Sequence, residues 1–148
     1  MMKKSLFTLM LSLLLGSVAC KSQTNENLES MKNEIKDVVY AFAKAGEERN
    51  IQAYDDILHS DFRVIANRYP TPDKTSIIPA ENYIGLLAKE VIGGTKFNVE
   101  FKHVEVMDHS AVVVAHFKAE KGSQLVTILL IKNTEDKWQM VTDMAVQK

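Results

Sequence analysis

Cysteine is almost absent from this sequence: Cys20 is the only one among 148 residues. No internal disulfide can therefore form, and a zinc site built from several cysteines is excluded. The four histidines show no H-x-x-x-H spacing, and the sequence has neither a G-x-S-x-G turn nor a glycine-rich phosphate loop. These absences predict a protein with no metal and no cofactor. They also exclude hydrolases that carry a G-x-S-x-G turn and nucleotide-binding proteins that carry a glycine-rich phosphate loop.

An excess of positive charge is also absent, since 18 Lys and Arg residues stand against 19 Asp and Glu residues. Binding to nucleic acid depends on basic side chains that displace counterions from phosphates, so we expect no nucleic-acid partner. The apolar run Leu6–Leu15 spans about 10 residues, whereas a membrane-spanning helix needs roughly 20. This run is therefore predicted to be a secretion signal and not a membrane span.

The first 20 residues have the layout of such a signal, with Lys3 and Lys4 before the apolar run and small residues before Cys20. Ser17-Val18-Ala19-Cys20 resembles the lipobox of bacterial lipoproteins, although Leu is usual where Ser17 stands. The resemblance implies cleavage after Ala19, acylation of the Cys20 thiol and attachment to a membrane through that lipid. The alternative is an ordinary signal peptide cleaved near Ala19.

The chain is accordingly divided into a signal peptide at 1–19, a polar tether at 20–27 and a single domain at 28–148. Such a domain is long enough to bury one hydrophobic core. Lys21-Ser22 lacks the Asp that retains some lipoproteins in the inner membrane. The lipoprotein resemblance therefore implies an exported, lipid-anchored protein of the cell envelope, located in the outer membrane.

Hydrophobic periodicity predicts three helices in the earlier part of the domain. The first runs over Leu28–Glu48, and a shorter one follows an N-cap at Asn50. The third begins near Pro79 and ends at Gly93-Gly94. Between the second and third helices, Phe62–Ala66 is predicted to be a strand that leads into a long loop.

The last third of the chain predicts four strands, which start near Phe97, Ala111, Gln124 and Trp138. The apolar alternation shifts by one position after Phe101, which indicates a β-bulge near Lys102–His103. Short polar links between the strands indicate antiparallel neighbours. We therefore predict an α+β fold in which a strongly bent antiparallel sheet packs on the N-terminal helices and encloses a cone-shaped hollow.

This order of elements resembles the nuclear transport factor 2-like superfamily, also called cystatin-like. The local resemblance lies in Val38–Glu47, in Ile57–Phe62, and in Leu129–Lys132 together with Lys137–Val141. Within the superfamily the sequence is most similar to the lumazine-binding and SnoaL-like groups. The resemblance implies a ligand cone, in which isomerases and dehydratases of this superfamily place an acid or a histidine beside the substrate.

Six residues are candidates for this pocket, because a strand carboxylate or histidine supplies acid–base chemistry and aromatic side chains line apolar hollows. They are Tyr40, Phe62, Tyr83, Phe101, His116 and Asp143. The alternative for His116 and Asp143 is a partly exposed position in a strand. His59 and Asp61 form either a dyad or a turn cap. The isomerase base has no equivalent, because Ile65-Ala66-Asn67 stands at its place.

Three functions follow, and the choice between enzyme and non-enzyme stays open. The preferred one is an envelope lipoprotein whose cone binds a small, mostly apolar molecule. The alternatives are a SnoaL-like lyase or isomerase acting on a cyclic substrate, and an interaction protein that forms a homodimer through its sheet face. An enzyme requires Asp143 or His116 to be buried beside Tyr40, whereas an interaction protein requires a filled cone and an apolar sheet face.

Overall fold

The structure is a computed structural model that describes residues 5–68 and 71–147, with side chains described for 25–68 and 71–146. The predicted signal at 1–19 and Cys20 lie outside the residues whose side chains are described, so cleavage and lipidation stay predictions. In the described part of the chain, no helix is long and apolar enough to cross a membrane.

The first helix, α1, runs over Ser5–Glu48 and includes the helix predicted at Leu28–Glu48. Its inner face carries buried side chains spaced three or four residues apart, which are Ile35, Val39, Phe42 and Ala45. The backbone at 20–27 is also helical, where we predicted an irregular tether. The difference arises because an existing helix extends by one hydrogen bond for each residue it adds, without a new nucleus.

A 3-10 turn, Ile51–Ala53, and a one-turn helix, α2, Tyr54–Ile57, follow α1. As predicted, Asn50 caps this segment, because its side-chain oxygen accepts a hydrogen bond of 3.3 Å from the backbone N–H of Ala53. The cap fixes the direction in which α2 leaves α1. As a result the side chain of Tyr54 is buried in the core.

Six strands form one sheet in the order β2-β1-β6-β5-β4-β3. The strands are β1 Leu58–Asn67, β2 Thr75–Pro79, β3 Asn98–Met107, β4 Ser110–Lys118, β5 Ser123–Lys132 and β6 Trp138–Gln147. A third helix, α3, Ala80–Ala88, lies between β2 and β3 in the chain. The four strands predicted in the last third are confirmed, and β5 is an interior strand of the sheet.

Three predictions about these elements were wrong. The loop predicted at Asn67–Ser76 ends in the first two residues of the edge strand β2, which was not predicted because it is too short to show a period of its own and is defined by its pairing with β1. Helix α3 ends at Ala88, before Gly93-Gly94, because Glu90 adopts a φ of 57° and the N–H of Val91 closes on the carbonyl of Leu86. The sheet is also not wholly antiparallel, since β1 and β6 run parallel.

The sheet curls around the helices. The predicted bulge is confirmed, since the register of β3 against β4 shifts between Phe101 and His103. Further shifts occur in β1 after Leu58 and between β5 and β6 at Leu129/Leu130. Bulges bend the strands that carry them. The result is an unclosed sheet with a concave face that packs against the helices and a convex face on the other side.

Candidate functional site

One row of cross-strand neighbours runs over all six strands and contains a single charged residue. The members of this row are Ile78, Val64, Asp143, Ile128, Val113 and Val104. Ile128 and Val113 are completely buried, so the row faces the concave side of the sheet. Side chains of paired residues in a sheet point to the same face. The carboxyl group of Asp143 therefore points into the curl of the sheet.

The next row on the concave face consists mostly of small residues. Its members are Ser76, Ala66, Ala145, Val126, Ala115 and Phe101. The short side chains beside Asp143 occupy less volume than the large aliphatic residues of a well-packed core. Consistent with this, Val64, Ala66, Asp143, Ala145 and Tyr83 each keep part of their surface accessible. We call the space that these five residues border the Asp143 hollow.

Asp143 is an uncompensated acid. Its Oδ1 atom is buried and has no hydrogen-bond partner. No lysine, arginine or histidine forms an ion pair with it in the part of the chain that the structure describes. Burial raises the pKa of Asp143 to about 7, because the apolar surroundings disfavour the charged form. At neutral pH this carboxyl group can therefore either give up or take up a proton.

Two tyrosines close the hollow on the helix side. The hydroxyl of Tyr54 donates a hydrogen bond of 3.4 Å to the carbonyl oxygen of Phe42. Tyr54 and Tyr83 are also hydrogen-bonded through their side chains. Because a carbonyl only accepts, the Tyr54 proton points to Phe42, and Tyr83 must donate to the Tyr54 oxygen. Both phenolic protons are thus already donated within the protein, and neither reaches Asp143.

The pKa values of the same two tyrosines indicate that their surroundings are apolar. Burial raises the pKa of both hydroxyl groups above the usual value, and the negative charge of Asp143 raises both further. The ring of Tyr83 stacks on Phe42 at 6.0 Å between centroids and meets Phe62 at 5.8 Å. Tyr83 therefore lies in an aromatic cluster with Phe42 and Phe62, and both Tyr54 and Tyr83 are close enough to Asp143 to feel its charge.

The structure brings three of the six candidate pocket residues together, namely Phe62, Tyr83 and Asp143. Their contact with a ligand stays a prediction. Sequence analysis missed Tyr54, although the need of a buried tyrosine hydroxyl for a partner is a signal that could have found it. It also missed Ala66 and Ala145, since their contribution is a lack of volume, which no sequence motif marks.

The other three candidates lie elsewhere. Tyr40 is 49% exposed, and its ring meets the edge of Phe101 at 5.2 Å between centroids. This pair joins α1 to β3, three strands away from Asp143 in the sheet order. His116 pairs across the sheet with Glu100 and Leu125, on the convex face. The acid that an enzyme would require is therefore beside Tyr54 and Tyr83, and not beside Tyr40.

The remaining histidines have structural surroundings. His59 Nδ1 accepts a hydrogen bond of 3.2 Å from the backbone N–H of Asp61, which favours the turn cap over a dyad. His103 lies at the bulge of β3, and His109 lies in the turn before β4, both as predicted. Among the described residues, no group of three or more His, Cys, Asp or Glu side chains could hold a metal ion.

A second concavity, the hairpin cleft, lies where the β5–β6 hairpin approaches α2 and α3. It has a volume of about 730 Å³, and its lining includes Ile51, Tyr54, Ile84, Asn133 and Gln139. Two of its polar side chains bond to the protein: Gln139 Nε2 donates to the carbonyl of Leu58 at 3.2 Å, and Asn133 Nδ2 donates to Gln139 Oε1 at 3.3 Å. The Asp143 hollow is the stronger candidate, because its polar atom has no partner.

No family model and no curated protein sequence matches this chain. Solved structures do match. A protein of unknown function from Silicibacter pomeroyi, described as NTF-2 like, has 10% identity over 81% of this chain and 98% of its own, with a TM-score of 0.69. One from Shewanella baltica has 12% identity over 80% and 94%, with a TM-score of 0.68.

A ketosteroid isomerase-like protein from Erwinia carotovora atroseptica is also similar, with 14% identity over 78% of this chain and 95% of its own and a TM-score of 0.61. At such low identity these likenesses show the fold alone. The chain therefore has the nuclear transport factor 2-like fold that the sequence predicted. The more specific similarity to the lumazine-binding and SnoaL-like groups stays a prediction.

Proposed function

We propose that this protein is an envelope lipoprotein, anchored in the outer membrane through Cys20, whose domain binds one small, mostly apolar molecule in the Asp143 hollow. The observation that carries the proposal is the unpartnered carboxyl oxygen of Asp143 on the concave face, in a partly accessible residue among alanine, valine and aromatic side chains. Binding sites for small molecules are commonly concave and apolar, with a few polar groups that orient the ligand.

The energetic cost of Asp143 supports a role outside folding. A buried acid without a partner destabilises the folded state, and an aliphatic residue would complete its row without that cost. Features that lower stability are found mainly where binding or chemistry requires them. Asp143 is therefore best explained by a molecule that occupies the space in front of it.

Two adjacent residues allow a matched test, because they point to opposite faces of the sheet. Ala145 borders the hollow, whereas Val146 is on the convex face and 42% exposed. The full chain and its Ala145→Trp and Val146→Trp variants are purified, and co-eluting small molecules are identified by mass spectrometry. We expect one ligand with the wild type and with Val146→Trp, and none with Ala145→Trp. Repeated absence of a ligand from the wild type would contradict the proposal.

An enzymatic role is the second candidate, as a lyase or isomerase acting on a cyclic substrate. It is favoured by the pKa of about 7 for Asp143, since general acids and bases work best when their pKa lies near the working pH. The tyrosine pair argues for binding first, because both hydroxyl protons are already donated within the protein. Turnover of a retained ligand by the wild type, and its loss in Asp143→Asn with binding preserved, would establish the enzyme.

We also propose that the domain forms a homodimer through its convex face. The row Ile77, Ile65, Met144, Thr127 and Val114 runs along this face, and Ile77 and Met144 are 61% and 37% exposed. Apolar patches of this kind commonly mark association surfaces. Sedimentation of the full chain in detergent should give a dimer that Met144→Lys dissociates; a wild-type monomer would contradict the proposal.

A further inference from the structure

We propose that the molecule bound in the Asp143 hollow carries a protonated amine on a small apolar body, and that this ammonium group pairs with the carboxylate of Asp143. The inference rests on the binding function proposed above and adds the chemical class of the ligand. It depends on three observations. They are the unpartnered oxygen of Asp143, the absence of a positively charged group around it, and the aromatic and small aliphatic side chains that border the hollow.

The first observation is the orphaned acceptor. Oδ1 of Asp143 is inaccessible to solvent and accepts no hydrogen bond. A buried carboxylate oxygen without a donor loses its bonds to water and gains nothing in return. A ligand that brings an N–H group to this carboxyl group reduces the deficit, and a charged donor forms the shorter and stronger bond.

The second observation is that nothing in the described chain takes that place. The groups that face Asp143 are Val64 from β1, Ile128 from β5, Tyr54 from α2 and Tyr83 from α3. The first two are aliphatic. The two hydroxyl groups form a chain that ends on the carbonyl of Phe42, so their protons point away from the carboxylate. A cation that pairs with the ionised form of Asp143 would therefore come from outside the described part of the chain.

The third observation concerns the walls of the hollow. The rings of Phe42 and Tyr83 come from helices α1 and α3 and the ring of Phe62 comes from β1, whereas Ala66 and Ala145 present short side chains on the sheet. Aromatic faces attract a cation electrostatically, and small aliphatic surfaces accept an apolar body. A ligand carboxylate is disfavoured wherever Asp143 is ionised, because the two negative charges repel.

The pH dependence of binding follows from the same group. Burial raises the pKa of Asp143, so the empty hollow holds a neutral carboxyl group in mildly acidic solution. An alkylammonium ion prefers the ionised carboxylate, and its affinity should rise with pH until Asp143 is fully ionised. Tyr54 and Tyr83 stay neutral throughout this range, because burial raises the pKa of both hydroxyl groups. A neutral alcohol should show no such rise.

The test titrates the full chain in detergent micelles with benzylamine, phenethylamine and 1-adamantylamine, each matched with the alcohol of the same shape. We expect at least one amine to bind about tenfold or more tightly than its alcohol at pH 7.5. Its affinity should fall by up to about tenfold per pH unit from pH 7 to pH 5. Asp143→Asn should abolish both effects, and Asp37→Asn, at an exposed acid on α1, should abolish neither.

The outcomes separate the ligand class from the binding function. If amines and alcohols bind equally and Ala145→Trp removes both, the hollow binds ligands but the amine inference is wrong. The inference also falls if Asp143→Asn retains the preference for amines, or if mass spectrometry identifies a neutral or acidic ligand. If no probe binds and nothing co-elutes with the wild type, both the amine inference and the binding function fail.

Discussion

Replacing Asp143 by asparagine should stabilise the folded protein, by an amount that grows with pH. The pKa of Asp143 is about 7 in the folded state against an ordinary value of 3.8. Between these values the folded state binds more protons than the unfolded state, so the stability of the wild type falls as pH rises. Below about pH 3 the carboxyl group is mostly protonated in both states, and the destabilisation disappears.

The magnitude follows from the difference of about three pKa units, each equivalent to about 1.36 kcal/mol. Asparagine has the same shape but does not ionise. The free energy of unfolding of Asp143→Asn should therefore exceed that of the wild type by a margin that rises from near zero at about pH 3 to about 4 kcal/mol at about pH 7.5.

Urea unfolding at a series of pH values measures this margin, with the fluorescence of Trp138 as the signal. Trp138 is the only tryptophan in the sequence and is 4% exposed in the folded state. Asp37→Asn serves as the control and should show a margin near zero at every pH. A margin for Asp143→Asn that does not change with pH would refute the reasoning, and a less stable variant would mean that the carboxylate has a favourable partner.

Two further predictions test local contacts of the helices and loops that surround the Asp143 hollow. Asn50→Ala should lower the free energy of unfolding by about 1 kcal/mol, since it removes the cap bond to Ala53; equal thermal melting of variant and wild type would contradict this. Gly93→Ala should destabilise the protein more than Gly122→Ala, with melting temperature as the measure. Both glycines have positive φ, but a Cβ at Gly93 would lie 2.7 Å from the carbonyl oxygen of Gly46, whereas Gly122 has open space; equal losses would contradict the contact.

Local signals were enough to predict much of the fold. The inner face of α1, the Asn50 cap and the bulge near His103 each depend on residues close together in sequence. Strand β2 and its pairing depend on contacts with β1, and the parallel β1–β6 pair joins opposite ends of the domain. No periodicity within a short segment records which distant strand it will meet.

The candidate site was predicted only in part, for a reason that β4 illustrates. Both faces of β4 are apolar near His116: Ala115 and Phe117 on the concave side, Val112 and Val114 on the convex side. Alternation then shows that a strand exists but not which face points inward. The inward direction of Asp143 became clear only from its pairing with Ile128 and Val64.

Direct titration of the Asp143 side chain by carbon-13 NMR tests the central claim, which is that this carboxyl group lies buried and unpartnered at the edge of an internal space. We predict a titration midpoint of about 7 for its carboxyl carbon in the wild type, and a lower midpoint once a bound amine is present. A midpoint near the ordinary 3.8 in the empty protein would mean that Asp143 is solvated or paired, and would contradict the account.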